Sequence, residues 1–233
     1  MICYLHGKAR RFLPYFWKRP HGRRKGVYRM IGVLDYGVGN IGSILNMLRK
    51  VGAQGRAVRT ADEAAFCEKL ILPGVGTFDA GMGLLNRSGM RKALDRAVAE
   101  GRPLLGICLG MQMLGRKSEE GPGEGLGYIP FDLKRFALCG RPGLKVPHMG
   151  WDYVTVEQPD APLVRGLEAE PRFYFVHAYH AVCDDSADVL MTCEYGYAFA
   201  AAVRRGNVWG TQFHPEKSHR FGMRLMENFA KEC

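Results

Sequence analysis

The stretch Pro103-Leu104-Leu105-Gly106-Ile107-Cys108-Leu109-Gly110-Met111-Gln112 constrains this chain more than any other. It opens as a continuous apolar run too short for a buried helix and reaches a single cysteine between two glycines. It then passes into Met111-Gln112-Met113-Leu114, whose composition is helical. That order predicts a strand, a tight turn and a helix. A residue on such a turn is lifted out of its sheet, and Gly106 and Gly110 let neighbouring backbone approach closely. Cys108 is therefore expected to sit exposed at a helix N-terminus, where free N–H groups and aligned peptide dipoles favour its thiolate. Taken alone, the elbow also admits a buried core thiol, because free cysteine is among the most buried residue types.

The 233 residues suffice for one large α/β domain. No stretch approaches the ~18 apolar residues of a membrane span. The formal charge of +10 is concentrated at one end: residues 1–29 hold nine Lys/Arg and no acid, leaving 24 basic against 23 acidic residues beyond. A nearly neutral remainder argues against a nucleic-acid partner. Residues 1–29 interleave Arg10-Arg11, Lys18-Arg19 and Arg23-Arg24-Lys25 with Phe12, Tyr15, Phe16 and Trp17. Transit-peptide and RNA-contact readings both exist for such a segment. The reading adopted is a disordered extension or an upstream start, with the motif-bearing domain at 30–233. Seven cysteines without a Cys-x-x-Cys pair fit free thiols in a reducing cytoplasm. His177-Ala178-Tyr179-His180 has ligand-like spacing only if helical, its flank reads as strand, and no third ligand lies nearby, so no metal is expected. No cofactor is expected either.

Along the chain, apolar Ile31–Leu34 leads through Asp35-Tyr36-Gly37-Val38-Gly39-Asn40 into a helix with Ile41, Ile44, Leu45 and Leu48 on one face. This is a β-loop-α unit of the doubly wound kind. A lone Gly-x-Gly without a well-placed acidic partner is not read as a dinucleotide site. Ala53–Val58 and Lys69–Leu72 read as strands. The second ends in Pro73-Gly74-Val75-Gly76, where a non-glycine peptide framed by two glycines can turn an N–H toward a developing oxyanion, or can be simple turn chemistry. Gly81–Leu85 and Met90–Glu100 read as helical. Ser118–Gly127 reads as loop, and Pro147-His148-Met149-Gly150-Trp151 as an exposed turn with large apolar side chains. Phe173–Val176, Ala181–Cys183, Val189–Glu194, Phe199–Arg204 and Val208–Phe213 read as strands suited to antiparallel additions. Ser218 is expected to cap the closing helix. His214 and Glu216 would point to opposite sides of an extended chain, so their cooperation requires a turn, which Pro215 promotes.

Gly106-Ile107-Cys108-Leu109-Gly110-Met111-Gln112 closely resembles the nucleophile segment of the class I, triad-type glutamine amidotransferases. Leu72-Pro73-Gly74-Val75-Gly76 resembles their oxyanion strand, and Gln212-Phe213-His214-Pro215-Glu216 their histidine and glutamate segment. The resemblance runs from about Met30 to the last helix. It implies a flavodoxin-like α/β fold: a doubly wound, mostly parallel sheet with antiparallel additions. Within that family, Asp35–Asn40, Lys145–Trp151 and Tyr174–His177 resemble the branch that works with a separate cyclase in histidine biosynthesis.

By that resemblance Cys108 attacks the side-chain amide of L-glutamine, His214 shuttles the proton, and Glu216 orients the imidazole. The N–H groups of Leu109 and of Val75 or Gly76 are the expected oxyanion donors. Gln112 and the backbone of His177, Ala178 and Tyr179, beside Gly76, are expected to hold the polar ends of glutamine. Asn40, Met149, Trp151, Tyr174 and Lys217 match positions facing the partner, a (β/α)₈-barrel cyclase with which such subunits form a heterodimer. Ala178 departs from the family, which usually carries a hydroxyl residue there. A paralogue feeding ammonia to another acceptor enzyme, such as one of surface-sugar amidation, is the alternative that the sequence leaves open.

Overall fold

The computed structural model describes residues 30–140 and 143–233, so the basic segment of residues 1–29 lies outside the described residues. The first half alternates strands and helices. β1 (Ile31–Leu34), α1 (Ile41–Lys50), β2 (Gly55–Val58), α2 (Ala61–Ala65) and β3 (Lys69–Gly74) lead to α3 (Phe78–Arg87) and α4 (Met90–Ala99). β4 (Leu104–Cys108) and the single turn α5 (Leu109–Gln112) complete this half. β1 and β4 are buried at every residue, and β3 at all but its first. Strands covered on both faces read as continuous apolar runs, which is why these were visible in the sequence. In α1, Ile44 and Leu48 are buried, and Ile41 and Leu45 pack at the edge of the same core.

The second half is mostly strand: β5 (Lys117–Ser118), β6 (Gly121–Glu124), β7 (Phe131–Arg135), β8 (His148–Val156) and β9 (Arg172–His177). β10 (Tyr179–Cys183), β11 (Val189–Glu194), β12 (Ala198–Arg205) and β13 (Val208–Thr211) follow before α6 (His219–Lys231). The sheet runs β2-β1-β3-β4-β13-β12-β10-β7-β5-β6, with β11 joining β12 to β8 and β8 pairing with β9. From β2 to β13 neighbouring strands are parallel, and β12 turns antiparallel. This is the expected doubly wound sheet with antiparallel additions. Alternate side chains feed two cores. Ile71, Leu105 and Ile107 join residues of α1 and α6, whereas Leu70, Leu72 and Leu104 join those of α3 and α4. No helix among the described residues is long and apolar enough to cross a membrane.

Three local expectations need correction. Ser118–Gly127 is not simply loop, because Lys117–Ser118 pairs with Gly121–Glu124 as a hairpin. Its glycines serve close approach: a Cβ on Gly121 would lie 2.1 Å, and one on Gly123 2.5 Å, from the Asp79 carboxylate. Gly123 N donates to Asp79 Oδ1 (3.1 Å), and Phe78 N donates to Glu120 Oε2 (2.7 Å), so the hairpin is pinned to the start of α3. Met149 and Trp151 lie on strand β8, whose alternation turns Met149, Trp151 and Tyr153 outward, at 62%, 40% and 57% exposure. Ser218 occupies the N-cap position of α6 without capping it. Its Oγ donates to His214 O (2.6 Å) and accepts from Tyr174 N (3.1 Å), joining the end of the histidine segment to β9.

Candidate active site

Cys108 closes β4 at φ 56° and ψ −113°, a left-handed conformation that costs a non-glycine residue about 1–3 kcal/mol. Packing holds it there. A Cβ on Gly110 would lie 1.8 Å from Leu72 O, and one on Gly106 2.7 Å from Gly110 O, so the elbow rests directly on β3. That contact also corrects the expected exposure. The turn is pressed against its neighbour instead of standing proud, and Cys108 is 7% exposed. It is nonetheless no core thiol, since it lines a cavity of about 290 Å³. The helix behind it is one four-residue turn, so it brings less dipole than a full helix would.

β13 delivers the histidine. It pairs in parallel with β4, with Thr211 opposite Ile107, so both strands end at the same edge, where ligands of open α/β sheets bind. The Pro215–Lys217 segment turns as a single 3-10 turn. That turn brings Glu216 Oε1 to 2.7 Å from His214 Nδ1, with both side chains almost fully buried. The backbone of His214 is tied on both sides: its N donates to Tyr174 O (3.0 Å), and its O accepts from Ser218. Burial disfavours the charged imidazole, but Cys108 and Glu216 outweigh it and push His214 up to about 9. Among the described residues, His214 Nε2 is a buried nitrogen without a hydrogen-bond partner. His214 itself lines the cavity that Cys108 lines. A protonated imidazole that faces this cavity beside Cys108 is suited to pass a proton to a bound molecule.

The remaining sequence-selected positions gather around these two. Val75, Gly76, Leu109, Gln112, His177, Ala178 and Tyr179 all line the cavity. Gly76 has φ 102°, which leaves the Val75–Gly76 peptide between glycine-bearing positions as expected. Tyr36 Oη donates to Pro73 O (2.6 Å), bracing the strand end that carries this turn. Gln112 Nε2 donates to Tyr179 O (3.2 Å) and to Gln212 Oε1 (3.1 Å), which leaves its amide oxygen to receive a donor. Two lining or adjoining residues were not singled out from the sequence. Glu120 brings a carboxylate to the cavity wall, and only an acid set directly before the first glycine of the hairpin hinted at it. Gln212 is fully buried with Nε2 4.0 Å from Cys108 Sγ, and it stood unremarked inside the histidine segment.

At the cavity wall a second histidine is held by a relay. His177 Nδ1 lies 2.8 Å from Tyr179 O, and because a carbonyl only accepts, this nitrogen carries the proton. Burial drives His177 down to about 3, so it is neutral and its Nε2 accepts from His148 Nδ1 at 3.1 Å. The other nitrogen of His148 faces Asp152 Oδ2 at 2.9 Å. Burial also lowers His148, against the opposing pull of the Asp152 carboxylate. Stacking on Phe175 and Tyr195 fixes the His148 ring.

Four of the five residues matched to a partner-facing surface cluster. Met149 pairs with Val176 and Trp151 with Tyr174 across β8 and β9, the Trp151 and Tyr174 rings meet edge-on at 6.2 Å, and Lys217 Nζ stands 5.5 Å from the Tyr174 ring centre. Asn40 is exposed at the head of α1, accepting from Ser43 N, and α1 packs on the turn that carries Lys217.

A doubly wound sheet with this constellation at its strand ends defines a class, and the class I glutamine amidotransferase family model matches residues 32–233. The chain is similar to imidazole glycerol phosphate synthase subunit HisH 2 of Pseudomonas aeruginosa, at 52% identity over 87% of this chain and 99% of the relative. It is also similar to HisH 2 of Methanococcus maripaludis, at 47% identity over 88% and 100%. HisH of Leptospira interrogans follows at 45% over 86% and 99%. The chain therefore belongs to the class I glutamine amidotransferase family, on the branch of the imidazole glycerol phosphate synthase HisH subunits. The fold is shared with a chain of PurLQS from Thermotoga maritima, with TM-score 0.69 at 21% identity over 87% of this chain and 98% of that one. A solved glutamine amidotransferase gives TM-score 0.61 at 24% identity over 84% and 98%.

Proposed function

We propose that this amidotransferase is the glutaminase subunit of a two-protein imidazole glycerol phosphate synthase, releasing ammonia from glutamine at Cys108 for a separate cyclase in histidine biosynthesis. The observation that carries the reading is the meeting of Cys108 and His214 in one cavity, from the ends of parallel neighbours β4 and β13, with Glu216 behind the imidazole. The Cys108 sulfur attacks the amide carbon of glutamine, and the electron pair moves onto the carbonyl oxygen. The N–H groups of Leu109 and of the Val75–Gly76 turn receive that oxyanion. The His214 imidazolium gives its proton to the amide nitrogen, ammonia leaves, and a thioester remains on Cys108. Water then attacks the thioester, His214 takes up its proton, and glutamate departs as the sulfur recovers its charge. Glu216 holds the imidazole by Nδ1 and offsets its positive charge throughout.

Recognition of glutamine follows from the other lining groups. The free amide oxygen of Gln112, the Ala178 and Tyr179 backbone and the Glu120 carboxylate suit the α-ammonium end. Because the 177–179 segment acts through its main chain, Ala178 in place of a hydroxyl residue is tolerated. Ammonia is mostly protonated at neutral pH and loses its nucleophilicity, so its acceptor site must be reached without passing through bulk water. The outward stripe of Met149 and Trp151, with Tyr174 and Lys217 beside it and Asn40 nearby, is the surface for a (β/α)₈-barrel cyclase. The test is glutamate release by the purified chain with and without the histidine-pathway cyclase. The reading expects a slow isolated subunit, strong stimulation and co-purification. No binding and no stimulation would refute the assignment and favour a paralogous acceptor.

A further inference from the structure

We propose that Gln212 is a positioning residue that donates a hydrogen bond to the Cys108 sulfur, holding and favouring its anionic form; this deepens the glutaminase reading and rests on it. Gln212 sits one residue past the last registered pair of β13 and β4, Thr211 with Ile107, so its side chain leaves the sheet beside that of Cys108. It is fully buried, and its backbone N donates to Ala201 O (2.9 Å).

The orientation of its amide is dictated by a chain of partners that begins at a carbonyl. Tyr179 O can only accept, so the nitrogen end of Gln112 faces it. The second N–H of that nitrogen points at Gln212 and therefore meets an oxygen, Oε1, at 3.1 Å. Gln212 Nε2 is then the end turned to Cys108 Sγ at 4.0 Å. Reversing either amide would set two acceptors or two donors against each other in a buried place, where an unmet polar group is costly. The nucleophile and Gln112 thus share one support. His214 faces the sulfur as the proton carrier, and Gln212 supplies a neutral donor that never leaves with a proton.

Two variants separate the functions of that amide. Gln212→Met removes donor and acceptor at similar length, whereas Gln212→Glu keeps an acceptor for Gln112 and places a carboxylate against the sulfur. The full-length chains are alkylated with iodoacetamide at pH 7, Cys108 modification is followed by peptide mass spectrometry, and thermal unfolding reports the fold. Exposed Cys139 serves as internal reference. Loss of a long charge-assisted hydrogen bond should slow Cys108 alkylation about tenfold in both variants, with recovery as pH is raised. With the cyclase present, kcat for glutamine should fall by a similar factor. KM should rise only in Gln212→Met, where Gln112 loses its acceptor. A folded variant with wild-type alkylation rate and kcat overturns the proposal, and the isosteric Gln212→Glu decides the matter if Gln212→Met unfolds. Wild-type chain with cyclase that releases no glutamate would instead overturn the glutaminase reading, while the alkylation comparison still decides the hydrogen bond.

Discussion

Gly110→Ala should damage both stability and catalysis, through one contact. The added Cβ would lie 1.8 Å from Leu72 O and 2.8 Å from Leu72 C, both of them backbone atoms in the middle of a buried strand. Ordinary contact begins near 3.4 Å, so the elbow and β3 must separate by about 1.6 Å. No flexible side chain can absorb that, and overpacking on this scale costs about 1–3 kcal/mol or more. The displacement acts where it matters most. Leu72 leads in two residues to Gly74, whose register partner is Cys108, and on to the Val75–Gly76 turn. Moving the sulfur from that turn by about 1 Å should lower kcat about a hundredfold. Gly42→Ala is the control, because among the described residues nothing lies within 4 Å of a Cβ there and the position is helical. It should be neutral or stabilising by up to about 1 kcal/mol. Urea unfolding together with glutamate release in the cyclase complex reads both effects. Wild-type stability and activity in Gly110→Ala would refute the claim that elbow packing places the nucleophile.

Acid should destabilise the protein through buried His177. The folded value of His177, about 3, lies below its ordinary 6.5, so the unfolded chain binds more protons between them. Stability is thus fully present above pH 6.5 and is lost as pH falls toward 3, by about 5 kcal/mol for this group, with His148 and His180 adding in the same direction. A urea midpoint unchanged between pH 7.5 and 4.5 would contradict a neutral buried cluster. Ser218→Ala takes the acceptor from the Tyr174 N–H and the donor from His214 O, at a side chain that is itself fully buried. It should cost about 1–3 kcal/mol and lower kcat more than it raises KM, since the imidazole loses its backbone anchor and glutamine loses nothing. Equal kcat with reduced stability would assign Ser218 to folding alone.

What the sequence disclosed follows from how each part is buried. The parallel half was legible because Ile31–Leu34, Leu70–Leu72 and Leu104–Cys108 are covered on both sides and carry no polar or charged side chain. The His214–Glu216 turn was legible because Pro215 restricts the chain between two chemically distinctive side chains. The β5–β6 hairpin was not, since glycine is chosen there for nearness to Asp79, a neighbour far away in the chain, and looks locally like loop. Met149 and Trp151 were seen as outward apolar groups, yet their place on a strand depended on pairing with β9. The depth of Cys108 also required tertiary information, because only the backbone of Leu72 pressed on Gly110 sets it. Gln212 and Glu120 reveal nothing by residue type. Their meaning comes from what stands opposite them.

The central claim is that Cys108 liberates ammonia used on another chain, and Cys108→Ala in the reconstituted complex tests it most directly. With glutamine as nitrogen source, product formation should fall by more than about a thousandfold, because no second nucleophile replaces the sulfur. With saturating ammonium salt at alkaline pH, the same complex should form product at nearly the wild-type rate. Equal loss with both nitrogen sources, or retained glutamine-dependent synthesis, would contradict the account.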